Sequence, residues 1–229
     1  MNRETILFDI NETVLSLDTL KPVFKKTFHN ENMADIWFAM LLHTSTVCVL
    51  SGVKTNFAEL GDITLNTLAS RQRIPLSDKT KADILGCFSC LKPHSDVKAA
   101  LTELRHSGYK TVAFSNSSHT LITAQIRNAG LMNEFDDIVS VEAGNVFKPA
   151  QVAYQFIADT LQTPKSQLRL VSTHDWDTHG ALTAGLKAAY INRLHSPYNP
   201  LYRQPDIFGD TMSDIVSQII NQPATRSRT

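Results

Sequence analysis

The chain has 229 residues, and its 22 lysines and arginines balance 22 aspartates and glutamates, so the formal charge is zero. That balance excludes a binder whose affinity for nucleic acid or anionic membrane rests on a basic surface. Apolar residues at 42 % and charged residues at 19 % exclude a disordered chain. At about 150 residues per domain, the length suggests one large domain or a core with an insertion. A core of that size needs neither disulfide nor structural metal. No apolar run is expected to reach the roughly 18 residues of a membrane span. The strand-like segment close after Met1 argues against a signal peptide, and a cytoplasmic location is expected. Three cysteines, Cys48, Cys87 and Cys90, cannot all pair. Cys87-x-x-Cys90 has neither the flanking elements of a redox motif nor a second ligand pair for zinc, so buried helical thiols are expected.

Thr5-Ile6-Leu7-Phe8 is a short run apolar on both faces and ends at Asp9. Such a run suits the middle of a parallel sheet, and its C-terminal end is where open α/β sheets bind ligands. Residues 18–90 differ. Asp18–His29, Met33–Leu50, Phe57–Ser70 and Ser77–Cys90 carry apolar residues at helical spacing, punctuated by Pro22, Asn30-Glu31-Asn32, Gly52, Gly61 and Pro75. From Leu91 strands and helices alternate. Ser95 is read as the cap of a helix bearing Val97, Leu101 and Leu104 that stops at Gly108. Strand Thr111–Phe114 leads to Ser115-Asn116, a helix over Leu121–Ala129 ends at Gly130, and strand Ile138–Val141 follows. Pro149 is read as starting a helix with Val152, Phe156, Ile157 and Leu161 on its apolar face. Strand Leu168–Ser172 reaches Thr173-His174, a short helix ends near Gly185, and strand Ala188–Ile191 precedes a helix over Thr211–Ile220. The polar tail from Gln222 is expected to fray.

Alternation of this kind implies an α/β fold with a doubly wound parallel sheet and right-handed crossovers. The helical segment then forms a cap inserted after strand 1. The expected division is a core of residues 1–14 and 93–229 and a cap of residues 15–92, with hinges near 14–17 and 91–95. Asp9, Ser115-Asn116, and His174 with Asp177 all fall at strand ends, joined by Lys148 from a loop. In such a sheet these ends converge, and a carboxylate, a hydroxyl, a lysine and a second carboxylate make a candidate nucleophile site.

Phe8-Asp9-x-x-x-Thr13, then Ser115-Asn116, then Lys148-Pro149, then an acidic segment at Asp175 and Asp177 resemble the four ordered motifs of the haloacid dehalogenase superfamily. Most members of that superfamily are magnesium-dependent phosphatases. They use a second aspartate two residues after the nucleophile and an acidic metal ligand after strand 4. This sequence has Asn11 and Thr173 at those places, an amide that cannot serve as acid or base and a poor ligand for Mg²⁺.

The segment Val171-Ser172-Thr173-His174-Asp175-Trp176-Asp177-x-x-Gly180-Ala181 is closer to the L-2-haloacid dehalogenases, which need no metal or cofactor. So are Tyr190-Ile191-Asn192-Arg193, Tyr154 six residues after Lys148, and Asn56-Phe57. That resemblance implies a 2-haloacid as substrate, attacked by Asp9 to give an aspartyl ester, which a water activated near Asp177 then hydrolyses. It implies catalytic roles for Asp9, Lys148, Asp177, Thr13, Ser115 and His174. Substrate contacts are implied for Ile10, Asn11, Asn116, Phe38, Phe57, Tyr154, Ser172 and Trp176. It also implies a homodimer. Halide leaves without a proton, so Asn11 costs a dehalogenase nothing. Two positions depart from the pattern. Phe38 stands where these enzymes have a cap arginine, and His174 replaces their asparagine. A magnesium-dependent phosphatase or other hydrolase of the superfamily and a non-catalytic small-acid binder stay open as alternatives on the same fold.

Overall fold

In the computed structural model, residues 3–144 and 146–222 are described, which leaves most of the polar tail outside. β1 (Thr5–Phe8) is buried along its length, as a strand covered on both faces must be. A tight loop follows. Ile10 O accepts from the N–H groups of Val14 and Leu15, and Glu12 N–H donates to Leu15 O. The chain then enters β2 (Leu15–Ser16) and four helices: α1 (Lys21–Phe28), α2 (Met33–Ser51), α3 (Phe57–Gln72) and α4 (Asp78–Phe88). Asn56 and Ser77 cap α3 and α4 with their side chains. β3 (Lys92–Pro93) returns antiparallel to β2, so a two-residue ladder ties the two connections of the helical insertion together.

α2 corrects the sequence reading: at 19 residues it is long and apolar enough to cross a membrane by length and composition alone. Its face bearing Trp37, Phe38, Leu41, Ser45 and Cys48 is buried. Trp37 packs against Phe24 and Phe88 and donates its indole N–H to Gly61 O, which binds α2 to its neighbours in the insertion.

Beyond the insertion run α5 (Val97–His106), β4 (Lys110–Ser115), α6 (His119–Asn128), β5 (Asp137–Ser140), α7 (Gln151–Thr160), β6 (Leu168–Ser172), α8 (Asp175–Ala184), β7 (Lys187–Ile191), β8 (Ile207–Gly209) and α9 (Met212–Asn221). The sheet is wholly parallel, in the order β5-β4-β1-β6-β7-β8. Phe8 of β1 is level with Ala113 of β4 and Val171 of β6. Residues just past the ends of these three strands therefore lie side by side.

Several local expectations fail. α5 begins after Asp96, with no side-chain cap from Ser95. β5 stops at Ser140, and Val141 opens a 3₁₀ turn. α7 starts at Gln151 and buries Ala153, Tyr154, Ile157 and Ala158, leaving Val152 exposed, so its apolar face is turned from the one expected. β8 is an added edge strand reached without a helix. Cys48 is buried, Cys87 only partly so, and Cys90 is exposed beyond the end of α4.

At the N-terminal end of the sheet, Arg169 of β6 is fully buried. Its guanidinium forks onto Asp206 at 2.6 and 3.0 Å and also donates to Glu4, Gln222 and Ala188 O. Removing the shared cation leaves Lys187 as the partner of mostly buried Glu4 and strips Asp206 of its fork. Arg169→Ala should cost about 3 kcal/mol or more, the usual penalty for breaking a buried pair. Urea denaturation measures it, and a loss below about 1 kcal/mol would show that water already shares the network.

Candidate active site

The end of β1 delivers Asp9, which is 5 % exposed. Its Oδ2 accepts from Thr13 Oγ1 at 2.9 Å, one turn of the loop away. Thr13 Oγ1 in turn accepts from Thr173 N–H at 3.0 Å, so the loop is pinned to the end of β6. Asp9 Oδ1 accepts from Lys148 Nζ at 2.9 Å. The same ammonium donates to Asp177 Oδ2 at 2.6 Å and to Phe114 O at 3.2 Å. Lys148 is 1 % exposed, so its charge is fully desolvated. Burial alone would pull it towards the neutral amine, but Asp177 and Asp9 together hold it above the usual lysine range.

Asn116 holds the Lys148 backbone, accepting from its N–H at 2.8 Å. Asp177 Oδ1 accepts from Tyr154 Oη at 2.6 Å. Burial pushes Asp177 upward against the pull of Lys148, and burial with the neighbouring carboxylate pushes the Tyr154 phenol well up. Tyr154 therefore remains a donor.

His174 completes the rim. Its Nε2 lies 3.6 Å from Asp9 Oδ2 and 3.5 Å from Glu12 Oε2. The ring stacks on Trp176 with centroids 5.1 Å apart and faces Phe38 at 6.3 Å. Burial pushes the Glu12 carboxyl up, His174 opposing and Asp9 reinforcing the shift.

Two cavities meet at Phe38, Leu42 and His174. The one over Asp9 is about 10 Å³, lined also by Asn11, Phe57, Ser115, Asn116 and Trp176. That is room for about one water. The other is about 550 Å³ and bounded by polar groups that include Glu12, Asp35, His94 and Arg193.

The structure thus gathers Asp9, Thr13, Ser115, Lys148, His174 and Asp177, together with Asn11, Asn116, Phe38, Phe57 and Trp176. Three residues expected to touch substrate do not line either cavity. Tyr154 is fully buried and spends its hydroxyl on Asp177. Ser172 is fully buried, its Oγ accepting from His174 N–H. Ile10 packs its side chain into the core. Asp177 also differs from expectation. It is wholly inaccessible, with its oxygens held by Lys148 and Tyr154.

Two participants escaped the sequence reading. Glu12 carried no motif of its own. Gln125, a buried amide on α6, donates to Asn11 Oδ1 at 3.1 Å and to Phe88 O at 2.8 Å. A glutamine on the apolar face of α6 was the available signal. Asn11 also donates to Ser117 Oγ, so its amide is committed to structure.

The donor set does not fit magnesium. Lys148 occupies Asp9 Oδ1 and Asp177 Oδ2, Asn11 is turned to Ser117 and Gln125, and Thr173 offers a neutral hydroxyl. Among the described residues no cluster of three acidic, histidine or cysteine side chains is placed to ligate a metal.

Comparison with known proteins bears on the family and the fold. The sequence profile of the haloacid dehalogenase-like hydrolases matches residues 4–185. An (S)-2-haloacid dehalogenase of Pseudomonas fluorescens is 24 % identical over 96 % of this chain and 98 % of its own length. Haloacetate dehalogenase H-2 of Moraxella sp. is 24 % identical over 94 % of this chain and 97 % of its own. Among solved structures, the L-2-haloacid dehalogenase of Xanthobacter autotrophicus with chloropropionic acid covalently bound superposes with a TM-score of 0.88 at 20 % identity, covering 97 % of this chain and 100 % of that one.

Close packing supports the Tyr154–Asp177 contact. A methyl group added at Gly180 would lie 2.6 Å from Tyr154 Oη and 2.8 Å from Pro149 Cβ. Tyr154→Phe should cost about 1–3 kcal/mol by leaving a buried carboxylate oxygen short of a donor. Gly180→Ala should cost at least as much, since it drives the phenol off its partner. Chemical denaturation of both variants decides; a Gly180→Ala protein as stable as wild type would mean the contact is dispensable.

Proposed function

The chain belongs to the haloacid dehalogenase-like hydrolases, and on that footing we propose that it hydrolyses short 2-haloalkanoic acids to 2-hydroxy acids without a metal. The observation that carries this reading is a buried carboxylate, Asp9, held by Lys148 and Thr13, with an amide rather than an acid two residues on.

Asp9 attacks the carbon bearing the halogen from the side opposite the leaving group. Halide departs and an aspartyl ester forms. A carboxylate is a weak nucleophile in water, and its reactivity depends on exclusion of solvent and on fixed orientation. The small chamber and its three rings, Phe38, Phe57 and Trp176, supply the first. Lys148 and Thr13 supply the second. Halide needs no proton as it leaves, so Asn11 is free to brace α6. A water then hydrolyses the ester, and the alcohol carbon keeps the configuration inverted in the first step. The covalent chloropropionate adduct of the Xanthobacter autotrophicus relative supports this route.

Ser115 and Asn116 reach the same chamber and are suited to the substrate carboxylate. A homodimer is part of the proposal, supported by the exposed Ile36, Val47 and Leu50 on α2. A cytoplasmic location is likewise inferred, from the exposed free thiol of Cys90.

The test is halide release from L-2-chloropropionate and from haloacetates, with and without EDTA. Release should survive the chelator undiminished. Asp9→Asn should abolish it while leaving the protein folded. Halide release by that variant at the wild-type rate would exclude the covalent route, and loss of activity on chelation would exclude metal independence.

A further inference from the structure

Asn11 has no proton to transfer in the reaction above, yet both ends of its amide are held. Its Nδ2 donates to Ser117 Oγ at 3.2 Å, and its Oδ1 accepts from Gln125 Nε2 at 3.1 Å. Gln125 is fully buried on α6, and the same nitrogen donates to Phe88 O at 2.8 Å. Phe88 is the last residue of α4, so its carbonyl is one of those that a helix end leaves without an intrahelical donor. The amide cannot turn over, because its oxygen would then face two oxygens. Held this way, it leaves its own Oε1 buried, and among the described residues no donor reaches that atom. A buried acceptor without a donor is destabilising, and a leucine would fill the position without one. The orphan oxygen therefore points to a use for the two N–H groups beyond packing.

The two acceptors belong to opposite sides of the chamber. Asn11 lines it from the loop that carries Asp9. Phe88 belongs to the insertion, where its ring packs against Trp37 at 5.5 Å and Phe38 at 6.2 Å. Phe38 is itself a wall of the chamber. Asn128, one turn along α6 from Gln125, donates to Ser89 O at 2.9 Å, so this end of the insertion is held at two successive carbonyls. We propose that Gln125 is a positioning residue for the attack of Asp9. It joins the seated insertion to the nucleophile loop, so that the carboxylate is aligned only while the chamber is closed.

This inference rests on the aspartyl-ester reading. In the first step an Asp9 oxygen bonds to the carbon bearing the halogen as the carbon–halogen bond breaks and halide leaves with the electron pair. Such a displacement tolerates little misplacement of the attacking oxygen. Lys148 and Thr13 fix the carboxylate within the core, and Gln125 sets its loop against the Phe38 side of the chamber. Once the ester has formed, a covalent bond holds substrate to Asp9, and hydrolysis depends less on that link.

The experiment is rapid-quench halide release from L-2-chloropropionate, with the adduct followed by intact-protein mass, on wild type, Gln125→Leu, Gln125→Glu, Asn11→Ala and the Asn11→Ala/Gln125→Leu double variant. The first-turnover rate of Gln125→Leu at saturating substrate should fall about 10- to 100-fold, the range for a misplaced reacting group. Decay of the adduct after removal of substrate should stay within about twofold of wild type, since the second step does not use the link. The double variant should be no slower than the slower single one, because both act through one contact. In Gln125→Glu the ionised carboxylate repels both acceptors, whereas the protonated acid restores one hydrogen bond. Its first-turnover rate relative to wild type should therefore rise as the pH is lowered from the alkaline side. If Gln125→Leu does not fold, that pH dependence decides. A wild-type first-turnover rate in Gln125→Leu overturns the proposal, as does equal slowing of adduct formation and decay, the mark of a merely structural role. Additive losses in the double variant or a flat ratio for Gln125→Glu overturn it as well. Wild type that gives neither halide nor adduct overturns the ester reading and the proposal with it.

Discussion

The molecule is organised around one buried ammonium group. Lys148 Nζ touches Asp9, Asp177 and the carbonyl of Phe114, and all four are buried. Desolvating a cation costs several kcal/mol, and only close opposite charges offset it. The three partners come from the end of β1, the first turn of α8 and the end of β4. The contact therefore requires β4, β1 and β6 to be neighbours in parallel register, and that is the order observed. Tyr154 and Asn116 are a further layer serving the same charge. One holds the second oxygen of Asp177; the other holds the backbone that carries the lysine.

Two carboxylates around one lysine leave the interior of the site negative, and Glu12 adds to that. A chain of zero net charge offers no long-range field to draw in an anion. Proximal groups must do so, and the cations near the larger cavity are already paired, Arg193 with Asp96 and Lys21 with Asp18. Phe38 contributes nothing electrostatic where the resemblance anticipates an arginine. What it contributes is dryness. With Phe57 and Trp176 it covers a chamber about one water in volume, and charges interact more strongly in such a chamber than at the surface. The ring of Phe38 also lies against His174, so the side chain that displaces one expected cation packs beside another group able to carry charge.

Much of this was legible in the sequence because strand ends are conspicuous. Asp9, Ser115, Asn116 and His174 each follow a short apolar run, and a parallel sheet brings such ends together whatever their separation along the chain. The helical character of residues 18–90 was legible from periodicity. Periodicity left other matters open. α7 contains two overlapping apolar faces, and the one with Tyr154 wins because its hydroxyl has Asp177 to meet, a partner from another element. Tyr154 was consequently misread as a substrate contact. β2, β3 and β8 have two or three residues each, too few for a period to register. Glu12 was invisible for a different reason, since it meets His174 across the sheet end.

The placement of that loop has a mechanical consequence. The chamber over Asp9 holds about one water, so on the proposed function a haloacid enters only if the side chains walling it, Phe38 and Phe57 of the insertion among them, move aside. The covalent connections between the insertion and the sheet run through β2 and β3, joined by the pairing of Leu15 with Pro93. The loop of residues 9–14 leads directly into β2 and is tied to the return strand as well. His94 N–H donates to Val14 O, and the His94 ring lies 3.0 Å from Glu12 O. Arg193 reaches Thr13 O from the far side of the sheet end. Asp9, the threonine that orients it and the glutamate beside His174 therefore sit on the segment that any movement of the insertion must strain. A rigid loop at that point would fix the nucleophile but resist opening. A slack one would open readily and lose the alignment that a weak carboxylate nucleophile depends on. The two-residue ladder, with a hydrogen bond from each side into the loop, is a joint short enough to bend and connected enough to return Asp9 to Lys148.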